Sequence, residues 1–166
     1  VANEAALSTL AQTMPDTIVL SDALNHASMI AGIRSSGCEK RVFRHNDLGH
    51  LREILREIEP GRPIVIAFES IYSMDGDFSP LEEITLLAER YDAFIILDEA
   101  HSTGVIGPSG AGWALFMLLL CGGPIVGEAG RGGRRSRPWR GHSGSDSAMT
   151  SASRPISSMC ALTSAS

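Results

Sequence analysis

Apolar residues in the first two thirds of the chain follow two alternating rhythms. From Asn3 to Gln12, Ala6, Leu7, Leu10 and Ala11 fall at helical spacing, and Pro15 and Asp16 end the run ahead of the strand-like Thr17-Ile-Val-Leu20. His26 to Arg34 carries Met29, Ile30 and Ile33 on one side and stops near Gly37, and Arg41 to Arg44 forms a short strand candidate. Asp47 is placed to cap a helix striped by Leu48, Leu51, Ile54, Leu55 and Ile58 and ended by Pro60-Gly61. The unbroken apolar run Pro63 to Phe68 is of the kind buried on both faces in a parallel sheet, and Ala93 to Leu97 is a second. Between them Pro80 opens a helix carrying Leu81, Ile84, Leu86, Leu87 and Ala88.

This alternation predicts an α/β fold, a mostly parallel sheet flanked by helices, with ligands bound at the carboxyl ends of the strands. Two polar loops follow directly on such ends, Ser73-Met-Asp-Gly-Asp77 and Asp98-Glu-Ala-His101. After Trp113 the pattern fails. Gly, Ser and Arg dominate, so residues 1–113 are expected to be the folded unit and 114–166 a disordered tail. Charge divides at the same point: 8 Lys and Arg against 17 Asp and Glu, net −9, over residues 1–113, then 6 Arg against Glu128 and Asp146, net +4. Only Trp139 sets an aromatic among the tail's charges, so a nucleic-acid partner is not expected.

Composition removes further classes. Cys38, Cys121 and Cys160 stand in no CxxC or Cys/His spacing, which argues against a disulfide framework or a bound metal and fits a reducing compartment. The apolar run Ala114 to Cys121 is broken by Gly122, Gly123 and Pro124, short of the ~20 apolar residues of a membrane span. The start, Val-Ala-Asn-Glu-Ala-Ala, lacks a signal-peptide pattern and an initiator Met, and reads as a chain entered partway.

Asp98 ends an apolar strand with His101 three residues on, and two chemistries use such a pair. In a DEAH-box NTPase the acids would hold magnesium and a catalytic water. That reading also needs a GxxxxGK[ST] phosphate loop, and the only lysine is Lys40, between Glu39 and Arg41. In a pyridoxal-phosphate enzyme a carboxylate pairs with the protonated pyridine nitrogen, so that the ring serves as an electron sink. The plain alternative is that Asp98 caps a turn and His101 is a surface imidazole.

The surrounding motifs bear on that choice. Ser21-Asp-Ala-Leu-Asn-His-Ala-Ser-Met-Ile30, Phe43-Arg-His-Asn-Asp47, Ala67-Phe-Glu-Ser-Ile-Tyr-Ser-Met-Asp-Gly-Asp77 and Leu97-Asp-Glu-Ala-His101 resemble, in order and spacing, the α-oxoamine synthases, and within them most closely the 5-aminolevulinate synthases. The resemblance covers about residues 1–112 and implies part of the large domain of a fold-type-I pyridoxal-phosphate-dependent transferase. It implies that His26 is the catalytic-site histidine stacked on the cofactor ring. Ser73 and His101 would bond the cofactor, Asp98 would hold the pyridinium nitrogen, and Ser21 and Lys40 would contact an acyl-CoA substrate. Glu69 would support the stacking site or cap a turn, and Asn46 and Asp47 read as a turn and a helix cap. The implied reaction condenses glycine with succinyl-CoA, releasing CO2, the first step of tetrapyrrole (heme, porphyrin) synthesis, in a homodimer of a bacterial cytoplasm or a mitochondrial matrix. The stretch Asp98-Glu-Ala-His-Ser-Thr-Gly104 is worded more like relatives acting on other amino acids, so 2-amino-3-ketobutyrate CoA ligase and 8-amino-7-oxononanoate synthase are the alternatives within the family.

Members of this family carry the cofactor on a lysine downstream of the Asp-x-x-His motif, where this chain has its Arg/Gly/Ser tail and no lysine. The tail is therefore expected to be an out-of-frame or divergent terminus, and the chain by itself to be inactive.

Overall fold

The structure is a computed structural model and describes residues 2–107, 110 and 112, with residues 159–162 as a strand. The expected alternation is present: α1 (Ala2–Thr13), β1 (Ile18–Asp22), α2 (Ala27–Ser36), β2 (Glu39–Phe43), α3 (Leu48–Glu57), β3 (Ile64–Glu69), α4 (Leu81–Arg90), β4 (Phe94–Asp98) and β5 (Met159–Leu162). All pairings are parallel, in the order β2-β1-β3-β4-β5. The strand β5 lies within the span expected to be a disordered tail, and its four residues have too little periodicity to predict it. The other tail residues lie outside those described.

Capping chemistry explains the helix limits. Asp47 caps α3, its carboxylate accepting from His50 N at 2.9 Å. Gly37 ends α2 in the left-handed conformation at φ 71°, which glycine adopts without a Cβ penalty. The period of two along the strands then separates two cores. Ile18, Leu20, Ile64, Ile66, Phe68, Ile95 and Leu97 pack against α3 and α4, and Val19, Val65, Ala67 and Ile96 pack against α1 and α2.

The helices α1 and α2 approach closely because Gly32 has no side chain. A Cβ there would lie 2.8 Å from Leu7 Cδ1 and 3.0 Å from the Glu4 Cα. Gly32→Val is therefore expected to lower stability by about 1–3 kcal/mol through overpacking, read from the urea midpoint, while Gly32→Ala should cost less.

The chain leaves β1 toward α2 on one face and leaves β3 toward α4 on the other. Adjacent strands whose connections depart to opposite faces open a crevice at their carboxyl ends, the usual ligand position in such sheets.

Candidate active site

Buried polar residues gather at this crevice. Asn25 crosses it, donating from Nδ2 to Ser21 Oγ at 2.9 Å and to the Ala67 carbonyl at 2.8 Å. Next to it the His26 backbone N–H donates to Glu69 Oε1. Glu69 and Asp98 are register partners at the ends of β3 and β4, only 1% and 5% exposed. Both continue the strand positions that face α1 and α2, which is why the first turn of α1 reaches Asp98 and the start of α2 reaches Glu69.

Asn3 makes that connection. Its Nδ2 donates to Asp98 Oδ2 at 2.7 Å and to Ser28 Oγ at 2.9 Å, and Ser28 Oγ lies 2.8 Å from His26 Nδ1. The Ser28 backbone N–H also donates to His26 Nδ1 at 3.2 Å, so His26 caps α2 with its own ring. In the neutral ring Nδ1 is thus the acceptor and Nε2 carries the proton. The second Asp98 oxygen accepts from Ala100 N at 2.9 Å, and the strand end is fixed by Ser70, whose N–H donates to the Asp98 carbonyl at 3.0 Å. Asp98 is thus a buried, oriented acceptor with lone pairs to spare, beside an exposed imidazole.

Burial drives the Glu69 carboxyl above its ordinary value, and the neighbouring Asp98 charge adds to this against the His26 N–H bond. A carboxyl raised in the fold binds its proton more tightly there than in the unfolded chain. Its contribution to stability is therefore complete below pH 4.5, the ordinary value, and is lost as pH rises through the higher folded value. Glu69→Gln, which keeps the acceptor for His26, is expected to lack this falling limb when urea midpoints are compared across pH.

The residues singled out from the sequence separate into three places. Asp98 and His26 meet through Asn3 and Ser28. Ser21 and Lys40 line one cavity of about 170 Å³ with Ile30, Ile33, Arg34 and Val42. Ser73 and His101 sit in the turns after β3 and β4, exposed, and their side chains bond none of the described residues. Asn3, Asn25 and Ser28 were not anticipated from the sequence. Nor were Asp22, His45 and Asp77, which form a second cluster. There His45 Nδ1 lies 2.9 Å from Asp22 Oδ1 and Nε2 lies 2.8 Å from Asp77 Oδ2.

The acids Asp98 and Glu99 do not converge as an NTPase would need. Glu99 turns to its own loop, where its Oε1 accepts from Ser102 Oγ at 3.1 Å. Among the described residues no group of three or more His, Cys, Asp or Glu side chains is placed to hold a metal ion, and no helix is long and apolar enough to cross a membrane.

Known proteins share this arrangement of strands and motifs. Residues 1–122 match the family model of class I and II aminotransferases. Over 114 residues the chain is 55% identical to 5-aminolevulinate synthase 1 of Cereibacter sphaeroides, covering 69% of this chain and 28% of that protein. It is 54% identical over 114 residues to the mitochondrial 5-aminolevulinate synthase of Schizosaccharomyces pombe, covering 69% of this chain and 20% of that one. A solved structure of SPT with a PLP internal aldimine superposes with a TM-score of 0.63 at 37% identity, covering 67% of this chain and 27% of the other. The chain spans less than a third of the length of each.

Proposed function

Because the chain belongs to the class I and II aminotransferase family, we propose that its folded part is a portion of the large domain of a pyridoxal-phosphate enzyme of the 5-aminolevulinate synthase type. The observation that carries this reading is Asp98: a buried carboxylate at a strand end, oriented by Asn3 and Ala100 N–H, next to the His26 ring. An acceptor so held suits a protonated pyridine nitrogen, because it is charged, shielded from water and costs no reorientation on binding.

In that reading the cofactor supplies an electron sink, and each residue has a task. Asp98 keeps the pyridine nitrogen protonated. His26, fixed by Ser28 and Glu69, offers one face of its ring to the cofactor and directs Nε2–H outward. Ser73 and His101 approach from their turns. Ser21 and Lys40 receive the acyl-CoA at the cavity they share, Lys40 meeting a phosphate or carboxylate. The proposed reaction of the whole enzyme condenses glycine with succinyl-CoA and releases CO2, in a homodimer. Its localisation follows the relatives, bacterial or mitochondrial.

Lys40 is the sole lysine of the 166 residues and stands on β2, three strands from β4 and so about 14 Å away at the usual strand spacing. It cannot carry a cofactor seated on Asp98. The chain by itself is therefore expected to bind the cofactor without turning over glycine and succinyl-CoA.

Titration of the full chain with pyridoxamine 5′-phosphate, which forms no imine with surface amines, tests the reading by calorimetry. Saturable one-to-one binding with no competition from ATP supports it. Absence of binding, or ATP hydrolysis abolished by Asp98→Ala, would overturn it in favour of the NTPase.

A further inference from the structure

The proposed reading gives His45 and Asp77 no task, and Asp22 only lines the cavity of Ser21 and Lys40, yet the geometry of the three is specific. An ionised carboxylate only accepts hydrogen bonds. With Asp22 at 2.9 Å from Nδ1 and Asp77 at 2.8 Å from Nε2, both ring nitrogens of His45 must donate, and the imidazole that satisfies both is the protonated one. Asp22 ends β1, while Asp77 belongs to the hairpin that follows β3 and contains Ser73. We propose that His45 is a positioning residue: as an imidazolium bridging Asp22 and Asp77 it clamps the Ser73 hairpin to the end of β1, and it releases the hairpin on losing its proton.

Besides this clamp, the Tyr72 side chain, only 1% exposed, anchors the hairpin's first strand. Internally the hairpin is closed by Tyr72 N to the Asp77 carbonyl at 3.1 Å, Gly76 N to the Tyr72 carbonyl at 2.8 Å and a bridge between Ile71 and Phe78. Its tip, residues 73–76, is exposed throughout and polar apart from Met74. Outside bonds to this segment come from the loop after β2: His45 itself, and Asn46 Nδ2, which donates to Asp77 Oδ2 at 2.9 Å and to the Phe78 carbonyl at 3.2 Å. The clamp is anchored at Asp22, which is 2% exposed and also accepts from Leu24 N and Asn46 N.

The groups facing His45 are Asp22 from β1, Asp77 from the hairpin, Asn46 from its own loop and the Tyr72 ring, packed edge-on at a centroid distance of 4.4 Å. Burial pushes the imidazole down, but its bonds to Asp22 and Asp77 outweigh this and hold it above its ordinary value. Tyr72 is driven far above its ordinary value by burial and then by the Asp22 charge, so it stays a neutral phenol while His45 titrates. The clamp is complete below pH 6.5, the ordinary imidazole value, and is lost as pH rises through the higher value of His45 in the fold.

Ser73 gives the clamp its functional meaning, and that part rests on the cofactor reading. The test does not. His45 is titrated by NMR in the full chain without cofactor, and hydrogen-exchange protection factors are measured at Tyr72, Gly76 and, as reference, Leu20 and Ile66. The expected result is a His45 midpoint above 6.5, with a severalfold loss of protection at Tyr72 and Gly76 across it and none at the reference amides. Asp77→Asn should lower the midpoint, and His45→Gln, which bonds without titrating, should make hairpin protection independent of pH. A midpoint at or below the ordinary value, or hairpin protection that is flat across the midpoint, would overturn the proposal. Failure of pyridoxamine phosphate to bind would instead be seen in a separate titration.

Discussion

Asp98→Ala is expected to weaken pyridoxamine 5′-phosphate binding to the full chain by about thirtyfold or more. Truncating one partner of a buried, charge-assisted bond costs about 2–5 kcal/mol, and each 1.4 kcal/mol is about a factor of ten in affinity. Asp98 belongs in that range because it is 5% exposed and its orientation is fixed from both sides, by Asn3 and by the Ala100 N–H. An exposed turn-capping aspartate would change affinity by less than about threefold, since surface charges contribute little.

Asp98→Asn separates chemistry from folding. The Asn3 Oδ1 atom is buried without a bonding partner, so a rotation of the Asn3 amide lets it accept from the side-chain amide introduced by the substitution, in place of the present bond. The fold is then retained while the negative charge is lost. Calorimetric titration of the two variants beside the parent chain checks this: equal, large losses, with an unchanged urea midpoint in Asp98→Asn, assign the effect to the charge. Parent-like affinity in Asp98→Asn would show that the pyridinium has no partner there.

The strands were legible because apolar runs buried on both faces leave a dense signal: Pro63 to Phe68 and Ala93 to Leu97 match β3 and β4 with a shift of one residue. Helix limits were legible where a cap has its own chemistry, as at Asp47 and Gly37. The β2 strand begins at Glu39, two residues before the stretch expected, because a sheet edge tolerates the exposed side chains of Glu39 and Lys40 that dilute the apolar pattern. Of the site, Asp98 and His26 stood out as chemical residue types in family-like motifs. Asn3 did not. It sits in the polar start of an amphipathic helix, and its importance comes from a contact 95 residues away in sequence with Asp98, which no local pattern encodes. His45 was passed over for the same reason. Its two carboxylate partners lie 23 and 32 residues off, one at the end of β1 and one in the hairpin after β3.

The second large effect is expected at Asp22, where Asp22→Ala should lower stability by about 3–5 kcal/mol at neutral pH. Asp22 is 2% exposed and satisfies three donors at once: Leu24 N at 2.8 Å, His45 Nδ1 at 2.9 Å and Asn46 N at 3.0 Å. Removing the carboxylate leaves two backbone N–H groups and a ring N–H without acceptors where water enters poorly, and that penalty, more than the lost attraction, sets the size of the effect. Against the roughly 5–15 kcal/mol by which domains are usually stable, this is severe enough that urea denaturation in the cold is the suitable measurement. Asp22→Asn can keep an oxygen where Oδ1 serves both Leu24 N and His45 Nδ1, but it loses the charge and leaves Asn46 N facing an amide N–H, so it should fall between. The decisive comparison is with pH. The charge-dependent share of the loss should shrink as pH rises through the His45 value, and in a His45→Gln background the Asp22→Asn penalty should no longer depend on pH over that range. A penalty equal at all pH values in both backgrounds would mean that Asp22 serves as a backbone cap alone. The coupling between β1 and the Ser73 hairpin would then have to come from Asn46.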